Sequence, residues 1–215
     1  MNFTEKIMET IKNPKNVMKR IAEEPMIEEA VTIVGISAVL GALAAYIQSY
    51  KVTYVFEGFP EIPSSTMMGI FGILYALIGS FIIWFIIAGI LHLVSMALGG
   101  EGKFHPQMIT IVGYSFIPTI FANIVSIAML LIIEPMTITI SPTDPTAMKG
   151  FYESSYFINS SIIEIIIQIW ISIILFFGVR EAHRLSTAKS AIVAGIPLIF
   201  IVMSLLWTFR SFGIL

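Results

Sequence analysis

Five long apolar runs organise this chain. They cover about residues 30–50, 67–98, 108–133, 157–179 and 188–209. At about 1.5 Å of rise per residue, each is long enough to cross a hydrocarbon layer roughly 30 Å thick as an α-helix. Ahead of them the pattern changes. Phe3, Ile7 and Ile11 recur at fourfold spacing, as do Val17, Met18 and Ile21, which predicts two short amphipathic helices over residues 2–24. Asn13-Pro14 separates them, a good N-cap followed by a residue suited to the first helical position. Pro25 is expected to open the first span, with Glu28 and Glu29 in the first turn, where the helix dipole favours acids. The pattern predicts an all-α polytopic membrane protein: a leader over 1–29, then a bundle of five transmembrane helices over 30–210.

Interruptions within the runs carry information too. Ser37, Gly41 and Ala45 form a small-residue strip on span one, and Gly72, Ala76 and Ser80 form another on span two, which suits close helix packing. Span two is longer than one crossing needs, so it must tilt, kink or lie partly along the interface. Gly99-Gly100 ends it, as glycines do after helices. Pro118 in span three frees an upstream carbonyl, so it should face protein or water rather than acyl chains. Gly195-Ile196-Pro197 predicts a second kink, in span five. Residues 51–66, with Glu57, Pro60, Glu61 and Pro63, read as a polar loop. The longest loop, 134–156, contains an alternating stretch Met136–Ile140 that predicts a brief extended segment and a turn signal at Asp144-Pro145.

Composition sharpens the class. Hydrophobic residues make up 57% and charged residues 12% of the 215, about half the charge of soluble domains. With no cysteine, disulfides, thiolate metal sites and cysteine nucleophiles are excluded. The first thirty residues are too charged for a cleavable signal peptide, so span one is expected to serve as the insertion signal. With five spans, nine Lys and Arg fall in the leader and the 2–3 and 4–5 connections, against Lys51, Lys149 and Arg210 opposite. That asymmetry places the N-terminus in the cytoplasm and the C-terminus outside a cell membrane. Lys6, Lys12, Lys15, Lys19 and Arg20 lie on the leader's polar sides. The leader reads either as a segment lying on an anionic membrane surface or as a solvated piece packed against the spans.

Polar groups inside the runs are the candidates for chemistry. Glu164 is the carboxylate well inside a span, with Gln168 one turn away and Asn123 on span three at a plausible depth. They read as a proton or cation site, as a polar latch between helices, or as groups near enough to the outer surface to meet water. His92, His105 and His183 are the residues to consider for a metal, but no pair has the HExxH spacing, and no metal or other cofactor is expected. Gly102-Lys103 fails as a phosphate loop, since no Ser or Thr follows and no strand precedes it. Ser115 lacks the elbow of a hydrolase nucleophile. Asn2-Phe3-Thr4 and Asn159-Ser160-Ser161 match the glycosylation pattern but lie in the leader and against the membrane.

Gly99-Gly100-Glu101-Gly102 after span two, Gly113-Tyr114-Ser115-Phe116-Ile117-Pro118 in span three, and Gly178-Val179-Arg180-Glu181-Ala182-His183-Arg184-Leu185-Ser186 at the span-four exit resemble the Yip family. These are Ypt/Rab-interacting membrane proteins and their prokaryotic relatives, and the resemblance covers about residues 25–210. It implies a role in membrane organisation, with GTPase binding in eukaryotic members. This leader is short beside the cytoplasmic domain tied to GTPase recognition, and Glu23-Glu24-Pro25 matches the corresponding acidic motif poorly. The chain resembles a prokaryotic-type member. The reading is a non-enzymatic scaffold or adaptor that recruits a protein partner or anionic lipid at its cytoplasmic face. Membrane lipid and a homo-oligomeric copy are further expected partners, and nucleic acid is not. In that reading Gly113 permits close packing, Tyr114 anchors a polar end and Pro118 bends the helix. A small transporter or channel subunit using Glu164 and two proline-broken helices is the alternative, followed by a metal-dependent membrane enzyme using the histidines.

Overall fold

A computed structural model describes residues 1–58, 65–141, 143–144 and 147–214. Pro60, Glu61 and Pro63 of the first loop and Pro145 of the turn signal lie outside the described residues. Among the described residues, five helices are long and apolar enough to cross a membrane: Ile27–Lys51, Met67–Ala97, Phe104–Ile132, Ser155–His183 and Thr187–Ser211, here spans one to five. The chain is an all-α polytopic membrane protein preceded by the short helices α1 (Phe3–Lys12) and α2 (Pro14–Glu23).

Local chemistry starts and stops these helices. Asn2 and Glu5 form a capping box, each side chain accepting from the other's backbone N–H at 2.9 Å. Asn13 occupies the next cap position, but its side chain makes no capping bond; Pro14 alone supplies the start signal. Span one begins at Ile27, two residues after Pro25, because the residue before a helix start must be extended and Met26 is. Ser154 and Ser186 cap spans four and five. Span two contains a π-turn over Tyr75–Gly79. Span three breaks at Phe116 and resumes at Ile117, with Pro118 in its first turn. Span five does not break: Pro197 sits inside a helix that runs from Thr187 to Ser211.

The two small-residue strips face each other. A Cβ on Gly41 would lie 3.6 Å from Ala76 Cβ, and one on Gly72 would lie 3.4 Å from Ala45 Cβ. Spans one and two therefore meet antiparallel around these strips with little side chain between them.

Packing is uneven. The buried residues concentrate where the leader, the start of span one, the end of span two, the start of span three, the end of span four and the start of span five converge. One cluster holds Ala30, Trp84, Leu91, Met108, Val179 and Val193, and the second holds Met18, Ile21, Ile33, Ile111, Tyr114 and Ile174. We call this the leader end. The apolar stripe of α2 is spent there: Val17, Met18 and Ile21 are 2%, 0% and 1% exposed. The leader is thus packed on the bundle, while Lys12, Lys15, Lys19 and Arg20 remain exposed.

At the other end, residues 52–56 of the loop read as polar form a strand instead. β1 (Val52–Phe56) pairs in parallel with β2 (Met136–Ile140), in register from Val52 opposite Met136 to Phe56 opposite Ile140. Parallel pairing follows from connectivity, since spans one and three leave the bundle in the same direction. Gln48 Nε2 donates to Tyr54 OH at 3.3 Å, and burial pushes the Tyr54 phenol up. Nearby, Tyr152 stacks on Phe212 with ring centroids 4.2 Å apart.

Candidate functional site

Two of the sequence segments singled out above meet at His183. Gly99 adopts φ +87°, a left-handed conformation that lets the chain turn back after span two. The next three backbone N–H groups are all used. Gly100 donates to Ser95 O at 2.9 Å, Glu101 to His183 O at 3.2 Å, and Gly102 to His183 Nδ1 at 3.2 Å. A Cβ on Gly102 would lie 2.6 Å from Ala182 O, and one on Gly100 would lie 2.9 Å from the His183 ring. The glycine pattern therefore exists to wrap the backbone around a buried histidine. With Nδ1 accepting, His183 carries its proton on Nε2 and directs it to His92 Nδ1, 3.4 Å away. Lys189 closes the ring by donating to Leu98 O at 2.6 Å. A linker whose N–H groups are committed to protein has none to offer a phosphate.

The three histidines do not converge. His92 and His183 pair, whereas His105 is exposed and stands apart. Among the described residues no three His, Cys, Asp or Glu side chains are grouped to hold a metal.

Beside the linker lies a second anchor. Tyr114, fully buried, donates its hydroxyl to Glu29 Oε2. Lys6 reaches from α1 to the same carboxylate, 3.0 Å from Oε1 and 2.8 Å from Oε2, and both charged side chains are 13% exposed. Lys6 is thus turned inward rather than lying on the leader's polar side. Gly113 lets spans one and three touch: a Cβ there would overlap Ala30 Cβ and lie 3.0 Å from Ala30 Cα. A Cβ on Gly178 would likewise overlap Ile111 Cγ2. Gln107 Nε2 caps the leader from below, donating to Ala22 O at 2.8 Å.

These anchors frame an open cleft of about 610 Å³ between α2, the glycine linker and the exit of span four. Its wall carries Lys19, Lys103 and Arg184 against Glu23, Glu101 and Glu181. Arg184 and Glu101 approach to 3.6 Å, but both are highly exposed and contribute little to stability.

The intramembrane polar residues divide into two groups. Asn123 is a latch: its Nδ2 donates to Ser37 O at 2.9 Å and to Ser37 Oγ at 3.2 Å, tying span three to span one. Glu164 and Gln168 line a separate cleft between spans three and four. Pro118 is buried within the protein. The anchoring contacts of Lys6, Gln107 and Lys189 escaped the sequence reading. For Lys6 the available signal was the spare charge of Glu29; for the other two there was none.

The Yip1 domain family matches residues 8–209. An uncharacterized protein of Methanocaldococcus jannaschii is 30% identical over 123 residues, which is 56% of this chain and 85% of that protein. No solved structure matches the chain. The match takes in the leader from residue 8, the glycine linker, the Gly113–Pro118 turn and the span-four exit, segments that the fold draws together at one end. The chain belongs to the Yip1 domain family of integral membrane proteins.

Proposed function

We propose that this protein is a non-enzymatic membrane scaffold whose leader end faces the cytoplasm and docks a protein partner. The observation that carries the reading is the charged cleft bounded by α2, the linker and the span-four exit. Each of its walls is held by bonds that cross between elements: Lys6 to Glu29, Gln107 to Ala22, and Gly102 to His183. A docking surface gains affinity when it is ordered before its partner arrives. Three bases mixed with three acids suit a polypeptide carrying both signs of charge better than a uniformly anionic lipid surface. The count of nine Lys and Arg at the leader end against three at the other supports the cytoplasmic assignment.

The test is photo-crosslinking in native membranes from residues 19 and 103, with residue 200 on an exposed face of span five as the control. A discrete protein adduct from 19 and 103, absent from 200 and lost in Glu101→Lys/Glu181→Lys, is the expected result. Adducts of equal yield from all three positions, or adducts insensitive to the charge reversals, overturn it. The Lys6–Glu29 bridge also allows protease accessibility of the leader to confirm that those variants still dock it.

A further inference from the structure

One wall of the leader-end cleft hangs on a single ring. His183 is fully buried at the exit of span four, and its two nitrogens have opposite duties. Nδ1 accepts from Gly102 N–H at 3.2 Å, so Nε2 holds the proton and turns it toward His92 Nδ1, 3.4 Å away. Glu101 N–H donates to the His183 carbonyl at 3.2 Å. These bonds to one residue hold the stretch that sets Glu101 and Lys103 in the cleft beside Glu181 and Arg184.

The latched ring has no place for a second proton. An imidazolium donates from both nitrogens. Its Nδ1–H would point at Gly102 N–H, donor against donor. The ring has little freedom to turn away, because the linker backbone closes over it: a Cβ on Gly100 or on Gly102 would lie 2.9 Å from Nδ1. Nor is the added charge matched. Lys189 of span five is spent on Leu98 O at 2.6 Å. Glu101 of the linker and Arg184 reach toward each other at 3.6 Å, both highly exposed. Lys19 and Glu23 of α2, Lys103 of the linker and Glu181 of span four line the open cleft. Among the described residues neither these groups nor Arg180 is bonded to the ring, whose one titratable partner is His92.

Proton uptake and release of the linker are therefore linked. A released ring titrates as an ordinary imidazole, at about pH 6.5. The released state binds one proton more than the latched state, so acid favours release. Relative to alkaline pH, the ratio of released to latched linker rises about tenfold at pH 5.5 and about thirtyfold at pH 5.0.

We propose that His183 is an acid-sensitive latch on the leader-end cleft: a second proton on its ring frees the glycine linker and dismantles the docking surface. The regulatory consequence rests on the docking reading given above, whereas the release itself does not.

The experiment is amide hydrogen exchange of the full-length protein in detergent at pH 7.5 and 5.5, corrected for the intrinsic pH dependence of exchange. Protection of the amides of residues 101 and 102 is expected to fall about tenfold at the lower pH, while that of residues 136–140, at the opposite end, stays constant. His183→Asn keeps an oxygen acceptor for Gly102 N–H but no titrating ring, so its protection should be the same at both pH values. His92→Asn, His105→Asn and the pair Glu101→Gln/Glu181→Gln should each retain the acid response, which identifies the responding group even where His183→Asn does not latch. A wild type with constant protection, a His183→Asn protein that responds like the wild type, or loss of the response in any of the other variants overturns the proposal. Photo-crosslinking from residue 19 then reads the consequence. An adduct formed at pH 7.5, lost at 5.5 and kept at 5.5 in His183→Asn is expected, and an adduct of equal yield at both pH values in the wild type overturns the regulation. Acid release of the linker in a protein that forms no adduct at either pH supports the latch and overturns the docking reading alone.

Discussion

Gly113→Ala adds one carbon where span three crosses span one. That carbon would overlap Ala30 Cβ and lie 3.0 Å from Ala30 Cα and 3.3 Å from Trp84 Nε1. None of these atoms can swing away. Ala30 has no rotatable side chain, and Trp84 is held by its 3.0 Å bond to Ile109 O. The helices must therefore separate, and overpacking of this kind costs about 1–3 kcal/mol, here near the upper end. The better helix propensity of alanine returns about 1 kcal/mol. The net expected loss is about 1–2 kcal/mol. Ala30→Gly alone should lose about 1 kcal/mol of propensity. In the double variant the offending methyl has been removed from Ala30 and the propensities offset, so stability should return close to the wild type. The coupling between the two changes is then about 2–3 kcal/mol, well beyond the additivity of independent sites. The assay is equilibrium unfolding of the four proteins by SDS titration in mixed micelles. A double variant that loses the sum of the two single losses would refute the claimed contact between Gly113 and Ala30.

Three further outcomes are expected. Tyr114→Phe removes a hydrogen bond to a carboxylate, worth about 1.5–3 kcal/mol, and should raise amide hydrogen exchange across residues 3–23 without changing exchange in span five; Lys6→Met should reproduce it through the other side of Glu29. Gly102→Ala brings a Cβ against Ala182 O at 2.6 Å and breaks the bond to His183 Nδ1, so trypsin should cut after Lys103 faster than in the wild type. Asn123→Ala should lower the unfolding free energy in SDS titration by about 0.6–1.7 kcal/mol, the range for hydrogen bonds between membrane helices. Ser37→Ala should cost less, because the shorter bond goes to the Ser37 carbonyl, which the substitution keeps.

The five spans were legible because lipid tolerates only long apolar helices, and that demand is written locally in the sequence. The leader helices were legible for the same kind of reason, through the fourfold spacing of Phe3, Ile7 and Ile11. What those helices pack against was not. Lys6 and Glu29 are 23 residues apart, and Glu29 and Tyr114 are 85. Such a contact leaves no periodic trace, and a carboxylate in the first turn already has a local explanation in the helix dipole. The glycine linker and the span-four exit were each noticed, but their meeting at His183 depends on how spans two to four are arranged. β1 was readable and missed: Val52-Thr53-Tyr54-Val55-Phe56 is rich in β-branched and aromatic residues, but the neighbouring acids and prolines made the whole stretch look like a loop. Pro197 lies within a helix that continues past it.

The pairing of β1 with β2 bears on biogenesis. Val52–Phe56 leaves the translocon long before Met136–Ile140 exists, and it waits with its ladder bonds unmade until two more segments have inserted. The strands can join only if residues 104–132 thread the bilayer with the same polarity as residues 27–51. The small sheet is thus a latch that can close once the third segment is in place, and it stays open on any chain whose third segment has entered backwards. Such a molecule would display an unpaired strand outside the bilayer, where a quality-control protease could distinguish it from a correctly threaded one.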